Sequence, residues 1–267
     1  MTEGEGGVVR VMLSHPGKLN AMSRAMWHGL RTVFEDIQRR SDVRCVIVEG
    51  EGAAFCAGGD ISEYPGFRFD PEQLRDFHEN DVWGGLNAML ACDVPIVARI
   101  AGACMGAGVE IASCCDIRIA APDARFGAPI AKLGFPMAPR EAALVAREVG
   151  VLTARQMLLE AATFSAADML QRGFLSRVAQ AQALGDDTRA AAGRIAALAP
   201  AAARMNKQTL RAFQASNRPE VHVDEAQAAI NSIVFDPSPG VGPYAYADSA
   251  EHREGITAFL DKRPPAF

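Results

Sequence analysis

Most of the sequence patterns that assign a function directly are missing from this chain of 267 residues. Its 27 lysines and arginines are outnumbered by 32 aspartates and glutamates, and no basic run exceeds two residues. Neither nucleic acid nor an anionic membrane is therefore expected as the main partner. No apolar run approaches the roughly 20 residues that a membrane-spanning helix requires. The glycines match neither G-x-G-x-x-G nor G-x-x-x-x-G-K-S/T, which disfavours a dinucleotide or ATP site.

The six cysteines and five histidines show no metal-binding or redox pattern. The cysteines include no C-x-x-C pair, and no apolar secretion signal precedes the first apparent strand. We therefore expect reduced, buried thiols in a cytoplasmic protein. The histidines lack H-x-x-x-H spacing, so no metal site is expected. Cys56 has no histidine near it in sequence, which favours an inert thiol over a nucleophile.

The sequence does contain an alternation of apolar strands and amphipathic helices. Continuous apolar runs at Val8–Leu13, 43–48, 95–100 and Ile117–Ala120 predict buried strands, and residues 26–37 and 71–91 have helical periodicity. This alternation predicts an α/β fold whose sheets are covered on both faces. After about Thr153 the strand signals fade. We expect a core of residues 1–195 and a helical region of residues 196–267.

The second half of the chain is predicted to be helical. Ser165 and Asp168 form a capping-box pattern, and Gly173 is placed to end the helix that this box begins. Further helices are predicted at 187–198, 200–213, 219–235 and 247–260, with a loop at 236–243.

Two turns of small residues follow predicted strands and expose the main chain. The first is AAFCAGGDISE (53–63), and the second is AGACMGAGVE (101–110). Small residues let a ligand approach the backbone N–H groups, and a helix that begins near Ala107 leaves its first N–H groups without partners. Two such turns that face one another would form an oxyanion hole. Glu110 is then a candidate acid/base, although a glutamate in a first helical turn also commonly caps the helix.

Five segments in this order resemble the enoyl-CoA hydratase/isomerase family, the crotonase superfamily, from about Val8 to the terminus. They are HPGKLNAM (15–22), AAFCAGGDISE (53–63), CDVPIVARIAGACMGAGVEIASCCDIRIAAPDARFGAP (92–129), FSAADMLQRGFLSRV (164–178) and EGITAFLDKRPPAF (254–267). The resemblance implies a crotonase-like fold of repeated ββα units, with two stacked sheets flanked by helices and a C-terminal helical trimerisation region.

The resemblance also implies roles for individual residues. The two oxyanion amides fall on Ala57 and Ala107, so an acyl-CoA thioester would bind between them, and coenzyme A is part of the substrate rather than a separate cofactor. Phe259 and Lys262 match positions that approach a coenzyme A bound to a neighbouring subunit of a trimer or a dimer of trimers, although Lys262 also fits a solvated terminal lysine. The residues implied to line the coenzyme A site are Gly58, Gly59, Asp60 and Ile61.

The sequence departs from the family at the second of two catalytic glutamates, where Ile130 stands. Ile130 and Trp83 lie where the resemblance implies the acyl pocket, although Trp83 equally fits a core or lid position. Glu141 could replace the missing carboxylate, but its place in a first helical turn favours an exposed residue.

A single carboxylate fits double-bond isomerisation better than hydration, because water addition needs a base and an acid. Decarboxylation or thioester hydrolysis of an acyl-CoA remains open, since both use the oxyanion hole without a second glutamate. The third alternative is a homologue that binds acyl-CoA without catalysis.

Overall fold

The structure is a computed structural model that describes residues 1–216, 244 and 246–266 of the chain. The strands in these residues are β1 (Thr2–Glu3), β2 (Val8–Leu13), β3 (Cys45–Gly50), β4 (Ile96–Ile100), β5 (Ala103–Met105), β6 (Ile117–Ala120), β7 (Arg125–Gly127), β8 (Thr163–Ser165) and β9 (Arg177–Val178). The α-helices are α1 (Arg24–Arg39), α2 (Pro71–Asp76), α3 (Trp83–Ala91), α4 (Ala107–Ser113), α5 (Pro139–Val149), α6 (Val151–Leu159), α7 (Ala166–Gln171), α8 (Leu184–Ala196), α9 (Pro200–Ser216) and the C-terminal helix (Ala250–Leu260).

Shorter helical turns connect some of these elements. Three are 3₁₀ turns, at Glu5–Gly7, Ile61–Gly66 and Ile130–Leu133, and a π-helical turn at Phe77–Val82 joins α2 to α3. Within the described part of the chain, no helix is both long enough and apolar enough to cross a membrane.

The strands form two sheets. The larger sheet has the order β1-β2-β3-β4-β6-β9, in which only the β1–β2 pair is antiparallel, and the smaller sheet has the order β5-β7-β8. Every residue of β3 is buried, because this strand lies inside the larger sheet with both of its faces covered. The two-sheet α/β architecture predicted from the sequence is confirmed.

Alternate residues of β3 face two different packing layers. Val46 and Val48 enter the main core together with Phe34 of α1, whereas Cys45 and Ile47 belong to a second cluster that includes Leu184 of α8. The helix α1 buries one stripe at helical spacing, as its sequence predicted. The larger sheet is thus held between helices on its two sides.

The secondary-structure predictions agree best with the structure where the apolar or capping pattern in the sequence is strong. The strands Val8–Leu13 and Ile117–Ala120 and the Ser165–Asp168 capping box are confirmed, and Gly173 follows α7 with a φ of 81°. The helical character predicted over 71–91 is confirmed, although a π-helical turn at Phe77–Val82 lies between α2 and α3. The fading of strands after about residue 153 is also wrong, because β8 and β9 follow and pair through backbone hydrogen bonds that periodicity does not reveal.

The structure describes only part of the predicted helical region 196–267. The predicted helix 219–235 and loop 236–243 lie outside the described residues. The division at residues 195/196 stays a prediction, and the C-terminal helix beyond it places Ile256 in the main core. That helix comes very close to the backbone of another segment, because a Cβ atom at Gly255 would lie 2.3 Å from the carbonyl carbon of Leu133.

Candidate active site

The first glycine turn follows β3 and offers a different amide from the one expected. The Ala57 N–H already donates to the Leu19 carbonyl at 3.0 Å, so the assignment of a free oxyanion amide to Ala57 is wrong. On the two sides of Gly59, the Met22 N–H donates to Gly58 O and the Asp60 N–H donates to Met22 O, each at 2.8 Å. The Gly59 N–H therefore points to the opposite side, and no described residue accepts a hydrogen bond from it.

The second glycine turn leaves the first N–H of α4 without a partner. Gly106 has a φ of 48°, a conformation that glycine adopts readily, and its own N–H bonds to Gly127 O at 2.8 Å. The helix α4 begins at Ala107, whose N–H has no acceptor among the described residues. This N–H lies at the positive end of a helix that is buried along its whole length.

The two turns lie side by side, as the sequence predicted. The Met105 N–H bonds to Cys56 O at 2.9 Å, next to an isolated bridge between Cys56 and Cys104. A Cβ atom at Gly108 would lie 2.6 Å from Cys56 O, and one at Gly106 would lie 3.6 Å from the Gly58 Cα atom. A side chain at Gly108 would push the turns apart, whereas the distance at Gly106 is an ordinary van der Waals contact, so Gly108 is the residue that allows the close approach.

Glu110 is a buried carboxyl in the first turn of α4, with only 5% of the residue exposed. No described residue donates a hydrogen bond to it, so it does not cap the helix. Burial raises the pKa of Glu110 well above its usual range; the charge of Glu141 raises it further and the charge of Arg68 opposes both. A buried carboxyl without a hydrogen-bond partner and with a raised pKa is a candidate acid/base.

Glu141 is buried rather than exposed, so the interpretation of it as a surface glutamate is wrong. It lies in the first turn of α5, as its sequence predicted, but only 4% of the residue is exposed. Its carboxyl accepts a hydrogen bond from His78 Nδ1 at 2.7 Å. Burial raises the pKa of Glu141 and the charge of Glu79 raises it further, whereas Arg68 and the Ala138 backbone N–H lower it. The structure therefore adds a second buried carboxyl that acts electrostatically on Glu110.

A buried arginine, which the sequence reasoning missed, is linked to Glu141 through His78: Arg68 Nη1 lies 3.4 Å from His78 Nε2, and His78 Nδ1 lies 2.7 Å from Glu141 Oε1. Arg68 is 1% exposed, and its guanidinium carbon lies 4.0 Å from the ring centroid of Phe135 and 4.4 Å from that of Tyr64. No carboxylate among the described residues forms an ion pair with it. The only signal in the sequence is one arginine between two phenylalanines, at positions 67 and 69, and this does not distinguish a buried cation from an exposed one.

The hydroxyl of Tyr64 connects this cluster to the first glycine turn. A Cβ atom at Gly59 would lie 2.1 Å from Tyr64 Oη, so the tyrosine occupies the space that a side chain at this position would need. Burial raises the pKa of Tyr64 to about 12, which keeps the phenol neutral. Glycine is thus required at position 59 because Tyr64 Oη approaches the backbone too closely for any side chain.

The other residues implied for the coenzyme A wall have structural contacts of their own. The buried Asp60 caps the 3₁₀ turn Ile61–Gly66 by accepting from the Ser62 N–H at 3.2 Å, and it pairs with Lys18 at 2.6 Å. Ile61 is half-buried and packs against the main core. Lys18, which comes from the HPGKLNAM segment, was missed as a candidate cation at this wall.

The remaining site candidates are a tryptophan beside a groove, a half-buried isoleucine and two exposed residues near the C-terminus. Trp83 lines a groove of about 440 Å³ between α1 and α3, and Glu110 is not among the residues that line this groove. Ile130 is half-buried in its 3₁₀ turn and packs against the main core. Phe259 is 52% exposed at the end of the C-terminal helix, and Lys262 just beyond it is exposed.

Cys56 is not a nucleophile in this structure. Its thiol is buried and donates to Gly58 O at 3.5 Å. Burial raises the pKa of the Cys56 thiol to about 12, so the reactive thiolate is not populated near neutral pH. The cysteine fills space behind the first glycine turn.

Comparison with known proteins gives a consistent assignment. The chain matches the sequence profile described as enoyl-CoA hydratase/isomerase over residues 3–267. It is 30% identical to the probable enoyl-CoA hydratase echA8 of Mycobacterium tuberculosis, in an alignment that covers 100% of this chain and 96% of that protein.

Solved structures share the fold over almost the whole chain. An enoyl-CoA hydratase/carnithine racemase from Magnetospirillum magneticum has a TM-score of 0.77 and 33% identity, with 99% of this chain and 93% of that chain covered. A methylmalonyl-CoA decarboxylase in complex with 2-nitronate-propionyl-CoA has a TM-score of 0.81 and 25% identity, with 98% and 95% covered. The chain adopts the crotonase fold, and it belongs to the enoyl-CoA hydratase/isomerase family.

Proposed function

We propose that this protein transfers protons on acyl-CoA thioesters through an enolate held by the N–H groups of Gly59 and Ala107. Glu110 is the acid/base. The observation that carries the proposal is the combination of two adjacent unpartnered backbone N–H groups with a buried carboxyl one helical turn from the second of them. Such groups are poorly solvated and unbonded in the free protein, and a thioester oxygen and an acidic C–H would use all of them.

The reaction that these groups support most directly is double-bond isomerisation. The ionised Glu110 carboxylate takes a proton from the α-carbon of a 3-enoyl thioester, and the C–H electron pair moves into the thioester to form a dienolate. Protonated Glu110 then returns the proton to the γ-carbon, which gives the 2-enoyl thioester and restores the carboxylate. Each N–H donor to the enolate oxygen contributes about 2.7 to 4 kcal/mol of transition-state stabilisation. No cofactor beyond the coenzyme A of the substrate takes part.

Decarboxylation is the second candidate, and the structural similarity to a methylmalonyl-CoA decarboxylase, with a TM-score of 0.81, favours it. In that reaction the α-carboxylate leaves as CO₂, and its electron pair forms the enolate between the same two N–H groups. A proton from Glu110 then completes the product. The apolar Ile130 in place of a second glutamate is compatible with this reaction, because no water has to be activated at that position.

The implied contact with a neighbouring subunit is also a proposal. Phe259 and Lys262 are exposed at the C-terminal end of the described chain. A half-exposed aromatic ring beside a lysine is suited to the adenine and phosphates of coenzyme A. A trimer, or a dimer of trimers, in which these residues reach a neighbour's substrate remains our expectation for the assembly.

The test is a screen of the purified protein against short, branched and aromatic enoyl-CoA thioesters and malonyl-type thioesters. Water addition, isomerisation, CO₂ release and CoA release are each measured. We expect Glu110→Gln to lower kcat/KM for the best substrate by about 10² or more while acyl-CoA binding persists. Glu35→Gln, which changes an exposed glutamate in an i,i+4 pair, is the matched control. Binding without turnover would favour the non-catalytic alternative, and unchanged turnover in Glu110→Gln would exclude Glu110 as the acid/base.

A further inference from the structure

A small cavity between the larger sheet and α8 carries three arginines in its lining. Its volume is about 130 Å³, and its walls come from the neighbouring strands β2, β3 and β4 and from the first two turns of α8. Neither Glu110 nor any residue of the two glycine turns lines it. The cavity is therefore built from different residues than the proposed thioester site. The charged residues of its lining are Arg10, Glu49, Arg99 and Arg189.

Two of these arginines share a single buried carboxylate. Among the described residues that line the cavity, Glu49 is the only acidic one, and it is 2% exposed. Its Oε1 accepts from Arg10 Nε at 2.7 Å, and its Oε2 accepts from Arg99 Nη1 at 3.1 Å. An arginine stays protonated at any pH at which the protein is folded. The group of three residues therefore has one positive charge more than it has negative charges.

The third arginine leaves this excess of positive charge in place. Arg189 reaches the cavity from α8 and pairs with Asp186, which does not itself line the cavity. The charged residues that line the cavity or pair with its lining thus comprise three guanidinium groups and two carboxylates. A cavity with an excess of one sign of charge attracts counter-ions of the other sign.

Arg99 also has a donor that the protein does not use. Its Nε is buried and has no hydrogen-bond partner among the described residues. A buried donor without an acceptor is costly, so such groups usually mark a position where a ligand or a water molecule accepts. The positive end of α8 lies at the same cavity, because Gly185 of its first turn is in the lining and the N-cap residue Ala183 provides no side-chain cap.

The ligand that fits these groups is an oxyanion with several acceptor oxygens. Guanidinium groups bind phosphate and carboxylate through paired N–H donors. A planar carboxylate presents two oxygens, whereas a phosphate group presents three or four, which donors from two strands and a helix can share. We propose that this cavity binds a phosphate group, as free phosphate or as the end of a phosphate monoester, with Arg10, Arg99 and Arg189 as its ligands. The bound anion compensates the excess charge, which a water molecule does not.

Calorimetric titration of the full-length protein tests the proposal. Inorganic phosphate and glycerol 3-phosphate are titrated at constant ionic strength in chloride, so that general charge attraction is the same in each experiment. We expect Arg99→Met to weaken phosphate binding about tenfold or more, as the loss of one hydrogen bond between charged groups predicts. Arg189→Met should weaken it as well. Glu49→Gln keeps an acceptor for the arginines and removes the negative charge from the lining, so phosphate should bind more tightly.

Arg194→Met is the matched control for the loss of one positive charge. Arg194 is an exposed arginine of the same helix and does not line the cavity, so its replacement should leave phosphate binding unchanged. Weakening of equal size in Arg189→Met and Arg194→Met would overturn the site. If Arg99→Met does not fold, this comparison of two exposed arginines decides alone. No binding of either phosphate to wild type would also overturn the proposal.

Three further titrations define the ligand and separate the cavity from the thioester site. Acetate that binds as tightly as phosphate would overturn the choice of a phosphate group. The tighter of inorganic phosphate and glycerol 3-phosphate shows whether the site takes the free ion or a monoester, and either result supports it. Saturating coenzyme A should leave phosphate binding unchanged, and displacement of phosphate would overturn the separate site. Since no titration requires turnover, failure of the proposed function would leave this test intact.

Discussion

Gly59 offers the sharpest test of the active-site geometry, because a single methyl group should displace the proposed oxyanion amide. A Cβ atom at this position would lie 2.1 Å from Tyr64 Oη and 3.1 Å from Tyr64 Cζ. Tyr64 cannot move away easily, since its ring is buried between Phe67, Phe77 and Phe135 at centroid distances of 5.9 to 6.2 Å. In Gly59→Ala the turn therefore has to move instead.

The expected losses follow from this geometry. Overpacking of a buried site costs about 1 to 3 kcal/mol of stability. Displacement of one oxyanion donor lowers kcat by about 10² to 10³. Removal of the phenol oxygen should relieve most of the clash, because the 3.1 Å contact with Cζ that remains in a Tyr64→Phe background needs a shift of only a few tenths of an ångström. No described residue hydrogen-bonds the Tyr64 hydroxyl, so Tyr64→Phe alone should cost little.

The assay compares unfolding in urea and kcat/KM for wild type, Gly59→Ala, Tyr64→Phe and the double variant. We expect the double variant to regain most of the activity and stability that Gly59→Ala loses. Gly66→Ala is the control for a glycine-to-alanine change in the same segment, because a Cβ atom there meets nothing within 4 Å. Wild-type activity in Gly59→Ala, or a double variant no better than the single one, would refute the placement of the Gly59 N–H beside Tyr64.

Two further predictions concern the C-terminal helix and the pH dependence of stability. Gly255→Ala places a Cβ atom 2.3 Å from the Leu133 carbonyl carbon, and since backbone cannot rotate away, we expect a loss of about 1 to 3 kcal/mol in urea unfolding. The control Gly193→Ala, in α8 with nothing within 4 Å, should be neutral or slightly stabilising. Because folding raises the pKa of Glu110, its contribution to stability is present below the unfolded pKa and is lost as pH rises toward the folded one. The Tm of wild type relative to Glu110→Gln should therefore fall as the pH rises above the ordinary glutamate pKa of about 4.3. A Tm difference that stays constant with pH above that value would contradict the raised pKa.

Some of the site could be predicted from the sequence because it depends on neighbours along the chain. The small residues around Gly106 can form only a turn that exposes backbone, and the helix after it fixes Glu110 one turn from Ala107. The apolar runs Val8–Leu13 and Ile117–Ala120 predicted their strands for the same local reason. The order of five such segments was specific enough to indicate the family, which the match over residues 3–267 confirms.

Contacts between distant segments decided the rest. The Ala57 amide is occupied because Leu19 folds onto it, and the Gly59 amide is left unpartnered because its neighbours bond to Met22. A hydrogen-bond partner that lies more than 30 residues away leaves no mark on local periodicity.

The same holds for Glu141. A glutamate in the first turn of a helix gives the same sequence pattern whether that turn faces water or the protein interior. The sequence by itself determined the two glycine turns and the first carboxylate. Only the tertiary structure decided which amide is unpartnered and that Glu141 is buried, because both depend on packing between segments that are far apart in the sequence.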